Sequence, residues 1–138
     1  MKEYIFQMPL RWMDMDAYQH VNNGRYCDYM VEARFHWFHQ NEYLKNWIEQ
    51  DGIQFVMVKQ SIEYIQAFTF PDEIKIVQTI SRIGRSSVDF DYELYSVSYP
   101  DRPYAKAQAT LAAFSPKLKK SVEIPQIIKE HFELDVKI

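Results

Sequence analysis

The sequence predicts an α+β domain in which a long antiparallel β-sheet wraps around one central α-helix. Two patterns lead to this fold class. Apolar residues recur at helical spacing in a long segment after residue 22, and apolar and polar residues alternate in several segments between residues 53 and 115. A chain of 138 residues is large enough for one core and too small for two, so we expect one domain over residues 1–138.

The first part of the chain is expected to contain one strand and two helices. A short strand covers residues 3–10, where Pro9 limits its pairing. A long helix follows from Asn22, because apolar residues then recur at steps of four, three and four. Its apolar stripe consists of Tyr26, Met30, Ala33 and Trp37. A second, short helix covers residues 42–50, and Gly52 is expected to cap its C-terminal end.

The rest of the chain is expected to form four long strands, a hairpin loop at residues 100–103 and a C-terminal helix that begins at Pro125. The predicted strands cover residues 53–64, 74–83, 88–94 and 104–114. The run 55–58 is apolar on both sides, which is typical of a strand covered on both faces. One helix covers only one face of such a sheet well. We therefore expect a second copy of the chain to close the other face or an edge, giving a homodimer or a homotetramer.

The composition excludes several classes of protein. Hydrophobic residues make up 47% and aromatic residues 16% of the chain, which excludes disorder and suggests a pocket or an interface besides the core. A net charge of -3 argues against a nucleic-acid-binding protein. The single cysteine, Cys27, excludes an internal disulfide framework and a multi-cysteine metal cluster. Because no signal sequence and no long apolar run is apparent, we expect a cytoplasmic protein that does not associate with membranes.

Most of the potential chemistry lies in the polar loop that leads into the long helix. Two carboxylates, a histidine and two asparagines fall within ten residues there, namely Asp14, Asp16, His20, Asn22 and Asn23. The first N–H groups of a helix lack intrahelical partners, and the macrodipole adds positive charge, so anions are stabilised at this point. Asn22 or Asn23 is expected to cap the helix, and Gly24 allows a ligand to approach the backbone.

The loop alone also fits a purely structural interpretation. Asp16 would then be a turn residue, His20 a loop histidine with satisfied hydrogen bonds, and the asparagines a cap and a turn residue. A calcium loop that starts at Asp14 is excluded, because its sixth position is not glycine and its twelfth is not glutamate. We expect no metal or other cofactor. Since Asp14 and Asp16 alternate around one residue, only one of them is expected to enter a pocket.

A resemblance to a known family favours a functional interpretation of the loop over a purely structural one. The run DAYQHVNN at residues 16–23, followed by Tyr26, Tyr29, Glu32 and Arg34, resembles the signature of the hotdog-fold thioesterases. Within these thioesterases, the similarity is to the relatives of 4-hydroxybenzoyl-CoA thioesterase and to the plant acyl-ACP thioesterases. The predicted order of elements is also similar to theirs, so the resemblance covers nearly the whole chain. It implies a hotdog fold and hydrolysis of acyl-CoA or acyl-ACP to a free acid and a thiol.

The resemblance also implies roles for individual residues. Asp16 corresponds to the catalytic carboxylate, acting as nucleophile or general base, and the backbone N–H at about Asn23 and Gly24 would polarise the thioester carbonyl. His20 and Asn22 are the nearest counterparts of a catalytic histidine and asparagine in the acyl-ACP branch. Many members have glycine immediately before the histidine, where this chain has glutamine.

Substrate binding is expected to involve two further regions. In similar enzymes, residues of the region around Arg85, Ser86 and Ser87 meet the nucleotide or phosphopantetheine part of the substrate. A solvated basic turn is the alternative for this segment. Tyr26 is expected either in the acyl pocket or in the core.

Two other functions remain open at this point. A thiol with a pKa of about 8.5 leaves as a thiolate without a strong general acid, so one carboxylate and one oxyanion donor suffice for thioester hydrolysis. A hotdog dehydratase or hydratase would instead need His20 directed at the α or β carbon of the substrate. A non-catalytic protein that binds acyl thioesters is the third candidate.

Overall fold

The computed structural model describes residues 3–136, and within this range the predicted order of elements is confirmed. Two segments were not predicted, a one-turn 3-10 helix at Trp12–Asp14 and a two-residue strand, β6. The elements are β1 (Tyr4–Pro9), α1 (Arg25–Gln40), α2 (Glu42–Asp51), β2 (Gln54–Tyr64), β3 (Glu73–Ile83), β4 (Ser87–Ser96), β5 (Ala105–Ser115), β6 (Lys120–Ser121) and α3 (Gln126–Val136). Gly52 caps α2 with a positive φ of 63°, as its lack of a Cβ allows.

All of these strands belong to one antiparallel sheet. The strand order is β1-β3-β4-β5-β2, and β6 pairs with the end of β5. The alternation predicted for β4 is complete, because every second residue from Val88 to Ser96 is buried. The curled sheet around a long helix is the α+β hotdog architecture that the sequence predicts.

The buried side of α1 forms the centre of the core. Its predicted stripe is buried throughout, and Trp37 packs edge-on against Phe90 of β4 with ring centroids 5.4 Å apart. Tyr29 and Arg34 are buried as well, so two polar side chains enter the core from the same helix. Each of them has a partner there, because buried polar groups are stable only when they are hydrogen-bonded.

The strand β2 lies at an edge of the sheet, and among the residues that the structure describes it pairs only with β5. Its apolar run was expected to be covered on both faces, but Val56, Met57 and Val58 are 36%, 42% and 62% exposed in the single chain. A register shift between Met57 and Lys59 places a bulge at this point of the edge. None of the helices described between residues 3 and 136 is long and apolar enough to cross a membrane.

Candidate active site

The loop between β1 and α1 is a compact structure closed by backbone hydrogen bonds. Met15 and Val21 form an isolated antiparallel bridge, and the Asp16 N–H donates to the His20 carbonyl over 2.8 Å. The Val21 N–H donates to the carbonyl of Phe68, which ties the loop to the segment before β3. The five residues from Asp16 to His20 therefore project as a tight turn in front of α1.

Gln19 takes the backbone conformation that the related glycine would favour. Its φ is 62°, in the left-handed region that residues with a Cβ rarely adopt. At this position, where many members of the family have glycine, the chain therefore holds a glutamine in a strained backbone conformation.

Asp14 and Asp16 face different environments, and Asp14 is the buried one. The Asp14 carboxylate accepts hydrogen bonds from Arg11 Nη2 at 2.9 Å and from the Tyr29 hydroxyl at 2.8 Å, and Arg25 Nε lies 3.6 Å away. Burial alone would raise the pKa of Asp14, but the hydrogen bonds from Arg11 and Tyr29 outweigh it and hold the pKa below its usual value. Asp14 therefore anchors the loop to α1 as an ionised carboxylate.

Asp16 is partly exposed and uses only one of its oxygens within the loop. Its Oδ1 accepts from the backbone N–H of Tyr18 at 2.9 Å and of His20 at 3.3 Å. Within residues 3–136, no protein donor is hydrogen-bonded to Oδ2. The carboxylate is thus oriented by the turn while one oxygen stays available to a ligand or to water.

The start of α1 offers a backbone donor next to this turn, at Asn23 rather than at Gly24. The Asn22 side chain accepts from the Gly24 N–H at 2.9 Å, and the Asn22 carbonyl accepts from the Arg25 N–H at the same distance. The N–H of Asn23 has no acceptor among the described residues. The helix itself begins at Arg25, with Gly24 as the capping position, although a cap by Asn22 or Asn23 was expected.

The remaining loop residue, His20, is exposed, and its ring makes no hydrogen bond within the described part of the chain. Tyr26 is 3% exposed and lies behind the loop, where burial raises its pKa to about 12. Its ring packs edge-on against Tyr64, whose hydroxyl donates to the Asn23 carbonyl at 3.3 Å. In the single chain, Tyr26 is therefore a core residue that supports the helix start.

The helix residues of the predicted signature are mostly structural. Tyr29 bonds to Asp14, and Arg34 donates from Nη1 to the Tyr92 hydroxyl at 3.1 Å. Glu32 is exposed and lies 3.8 Å from His36 on the outer face of α1. No role was predicted for Arg11, although its three-residue spacing to Asp14 was a signal for a local ion pair.

The turn with Arg85, Ser86 and Ser87 lies at the other end of the sheet. The loop leaves β1 where Pro9 faces Glu73 at the start of β3, whereas the turn follows the end of β3. The 11 residues of β3 separate the two regions by roughly 30 Å. Within one chain, Asp16 and these three residues therefore do not form one site.

The backbone fixes this turn at several points. The Ser86 carbonyl accepts from the Ala113 N–H at 2.8 Å, and the Ser87 carbonyl accepts from the Gly84 N–H at 2.7 Å. A Cβ at Gly84 would lie 2.6 Å from Arg82 Nη1 and 3.0 Å from Ser87 Oγ, so these two side-chain ends would have to shift to admit it. Arg85 stays exposed, with its guanidinium 3.9 Å from Glu123. Within residues 3–136, no group of three or more His, Cys, Asp or Glu side chains is placed to hold a metal ion.

Comparison with known proteins relates the chain to thioesterases. The sequence profile described as the thioesterase-like superfamily matches residues 10–132. The chain is 25% identical to the long-chain acyl-CoA thioesterase FadM of Escherichia coli over 131 residues, which cover 95% of this chain and 98% of that protein.

Solved structures of related proteins have the same fold as this chain. A putative thioesterase from Pseudomonas aeruginosa has a TM-score of 0.81 at 27% identity, covering 93% of this chain and 96% of that one. The probable thioesterase YbaW from Escherichia coli has a TM-score of 0.85 at 25% identity, covering 97% and 99%. The predicted hotdog fold and the predicted class of thioester hydrolase are confirmed. The chain belongs to the thioesterase-like superfamily.

Proposed function

We propose that the protein hydrolyses acyl-CoA thioesters to a free acid and CoA, with Asp16 as the reacting carboxylate. The observation that carries this assignment is the turn in front of α1. It holds Oδ1 of Asp16 with two N–H groups and leaves Oδ2 without a protein donor, and three residues after the turn the Asn23 N–H has no acceptor either within residues 3–136. An acyl carrier protein is the alternative carrier of the same thioester.

The reaction needs few groups. Oδ2 of Asp16 either attacks the carbonyl carbon to give a mixed anhydride, which water then hydrolyses, or takes a proton from a water molecule that attacks the same carbon. In both cases the Asn23 N–H and the start of α1 stabilise the oxyanion, and the CoA sulfur leaves as a thiolate. His20 then supports Asp16 through its backbone N–H, and the Asn22 side chain holds the Gly24 N–H at the start of α1.

A second copy of the chain completes the site in this proposal. The exposed apolar edge of β2 supports pairing with β2 of another subunit. Antiparallel pairing about a two-fold axis places the Tyr64 end of one β2, near Asn23, beside the Gln54 end of the other. The turn with Arg85, Ser86 and Ser87 lies at that Gln54 end, so each active site would combine the Asp16 loop of one subunit with this turn of the other.

This arrangement gives the turn a function. Arg85 is exposed and carries a positive charge suited to a phosphate of CoA, and Ser86 and Ser87 add hydroxyl groups nearby. The protein would be a homodimer, or a homotetramer built from two such dimers.

Release of free thiol tests the reaction. Purified protein is incubated with short, long, branched and aromatic acyl-CoAs and with acyl carrier protein, and free thiol is measured with a thiol reagent. Thioester hydrolysis predicts stoichiometric thiol for at least one acyl group. A dehydratase or hydratase releases none and changes the absorbance of an enoyl thioester instead. Tight binding without thiol release across the whole panel would identify a non-catalytic binding protein.

Mixed dimers test the shared site. Asp16→Asn and Arg85→Glu are each expected to impair the homodimer. When the two variants are unfolded, mixed and refolded together, a mixed dimer holds one site with an intact Asp16 and an intact Arg85 from different chains. Recovery of up to about half of the activity per mixed dimer is expected. No recovery would place both residues in a site within one chain or remove Arg85 from the site.

A further inference from the structure

A cavity at the other end of α1 has no part in the proposed reaction. It has a volume of about 570 Å³ and lies where the C-terminal end of α1 and the start of α2 meet β1, β3 and α3. Small-molecule sites in proteins have volumes of this size. Because α1 is 16 residues long, this cavity is about 24 Å from the Asp16 loop along the helix axis.

Gln78 is the residue that makes this cavity unusual. It lines the cavity, is 2% exposed, and takes a core-facing position between Ile76 and Ile80 on β3. Its side-chain Oε1 has no hydrogen-bond partner among the residues that the structure describes. A buried amide oxygen without a donor destabilises the fold, whereas an isoleucine would continue the apolar pattern. The terminal torsion of glutamine is broad, so the amide can turn its oxygen toward a donor in the cavity.

The other walls favour a ligand with an apolar body and a positive charge. Trp37 and Ile80 supply apolar surface beside Gln78. Glu3 and Glu42 place two carboxylates at the cavity, and none of its lining residues is a lysine or an arginine. Aromatic faces next to carboxylates attract organic cations.

We propose that this cavity binds a small aromatic amine that also carries a hydroxyl group. The hydroxyl donates to Oε1 of Gln78, the ring packs on Trp37 and Ile80, and the ammonium group faces Glu3 and Glu42. Acyl-CoA and free fatty acids carry negative charge, so this site excludes the substrate and the product of the proposed reaction. The inference does not depend on that reaction.

Three related probes test the proposal on the complete protein by isothermal titration calorimetry. Tyramine has the ring, the hydroxyl and the ammonium group; phenethylamine lacks the hydroxyl; 3-(4-hydroxyphenyl)propionate carries a carboxylate in place of the ammonium. We expect tyramine to bind about five-fold more tightly than phenethylamine and at least about ten-fold more tightly than the propionate. Equal affinities, or no heat of binding with tyramine at millimolar concentration, would overturn the proposal.

Two variants localise the binding. Gln78→Leu removes the acceptor and is expected to bind tyramine and phenethylamine equally, while Gln66→Leu, an exposed glutamine outside the cavity, keeps the preference. Glu42→Gln lies on the surface and is expected to lower the affinity for both amines by about three-fold and to leave the hydroxyl preference unchanged. A hydroxyl preference that persists in Gln78→Leu, or amine affinities unchanged in Glu42→Gln, would show that the probes bind elsewhere.

Discussion

Asp14 and Asp16 are two residues apart in the same loop, yet Asp14 is buried among protein partners and Asp16 is partly exposed. Asp14 is 1% exposed and bonds to side chains on both sides of the loop. Asp16 receives only backbone N–H groups of its own turn, and one of its oxygens is free of protein donors within the described residues. The comparison indicates that a carboxylate with all its partners supplied by the fold contributes to stability, whereas one with an unused oxygen is available for chemistry.

The largest effect is expected for Asp16→Asn. The asparagine oxygen can still accept from the Tyr18 and His20 N–H groups, so the turn should persist while the nucleophile or base is lost. We expect kcat to fall by about 10²- to 10⁴-fold with the melting temperature nearly unchanged. Steady-state thiol release and thermal melts measure the two quantities, and Asp51→Asn, an exposed aspartate at the end of α2, is the matched control. A variant with near-normal turnover would refute the role of Asp16.

Asp14→Asn is expected to have the opposite effects, a lower stability and a largely unchanged kcat. The neutral amide cannot replace the negative charge that Arg11 and Arg25 face. One carboxylate oxygen also becomes an NH2 group, which cannot accept a hydrogen bond such as the one from Tyr29. We expect a loss of about 1–3 kcal/mol in unfolding free energy, with the kcat of the folded fraction largely retained. Urea unfolding and active-site titration at a temperature where both forms are folded separate the two effects. If kcat falls as far as in Asp16→Asn, the assigned division between the carboxylates is wrong.

The sequence predicted the periodic parts of the molecule well, because burial repeats along α1 and β4 at the spacing of a helix and of a strand. That only one of the two aspartates enters a pocket stays a prediction, and the enclosure of Asp14 by Arg11 and Tyr29 was not predicted. That enclosure depends on the 3-10 turn and on a contact between residues 15 positions apart.

Two features of the site depend on packing that local pattern does not encode. The choice between Asn23 and Gly24 as the free donor is decided by the rotamer of Asn22, whose oxygen takes the Gly24 N–H. The distance between Asp16 and the turn at Arg85 is decided by the pairing of β1 with β3, which joins segments far apart in the chain. The family resemblance implied a role for all of these residues in one reaction, whereas the geometry of one chain separates them.

A smaller change, Tyr29→Phe, tests how much stability the hydrogen bond from α1 to Asp14 contributes. It removes the 2.8 Å hydrogen bond to Oδ2 and leaves the ring in the core. We expect a loss of about 1 kcal/mol in unfolding free energy. A double-mutant cycle with Asp14→Asn should show coupling between the two sites, and Tyr99→Phe at an exposed position should change little. Additive effects of the two substitutions would mean that this hydrogen bond contributes no stability.

Acid pH should remove the contribution of the Asp14 carboxylate to the free energy of unfolding. Its pKa is lowered in the folded protein, so the ionised carboxylate stabilises the fold above the unfolded-state value of about 3.9. This contribution is lost as the pH falls below about 4 through the folded-state pKa. The difference in unfolding free energy between the native chain and Asp14→Asn is therefore expected to narrow from pH 5 to pH 3. A constant difference over this range would contradict an ionised, stabilised Asp14.

The smallest effect concerns the backbone of the turn that presents Asp16. Gln19 has a φ of 62°, so Gln19→Gly relieves strain of about 1 kcal/mol, part of which the greater freedom of glycine in the unfolded chain offsets. We expect a net gain of about 0.5 kcal/mol in unfolding free energy with unchanged kcat. Ala17→Gly in the same turn relieves no such strain and should destabilise the protein by about 0.5–1 kcal/mol. If both substitutions destabilise the protein equally, the left-handed conformation of Gln19 is not the strained point of the turn.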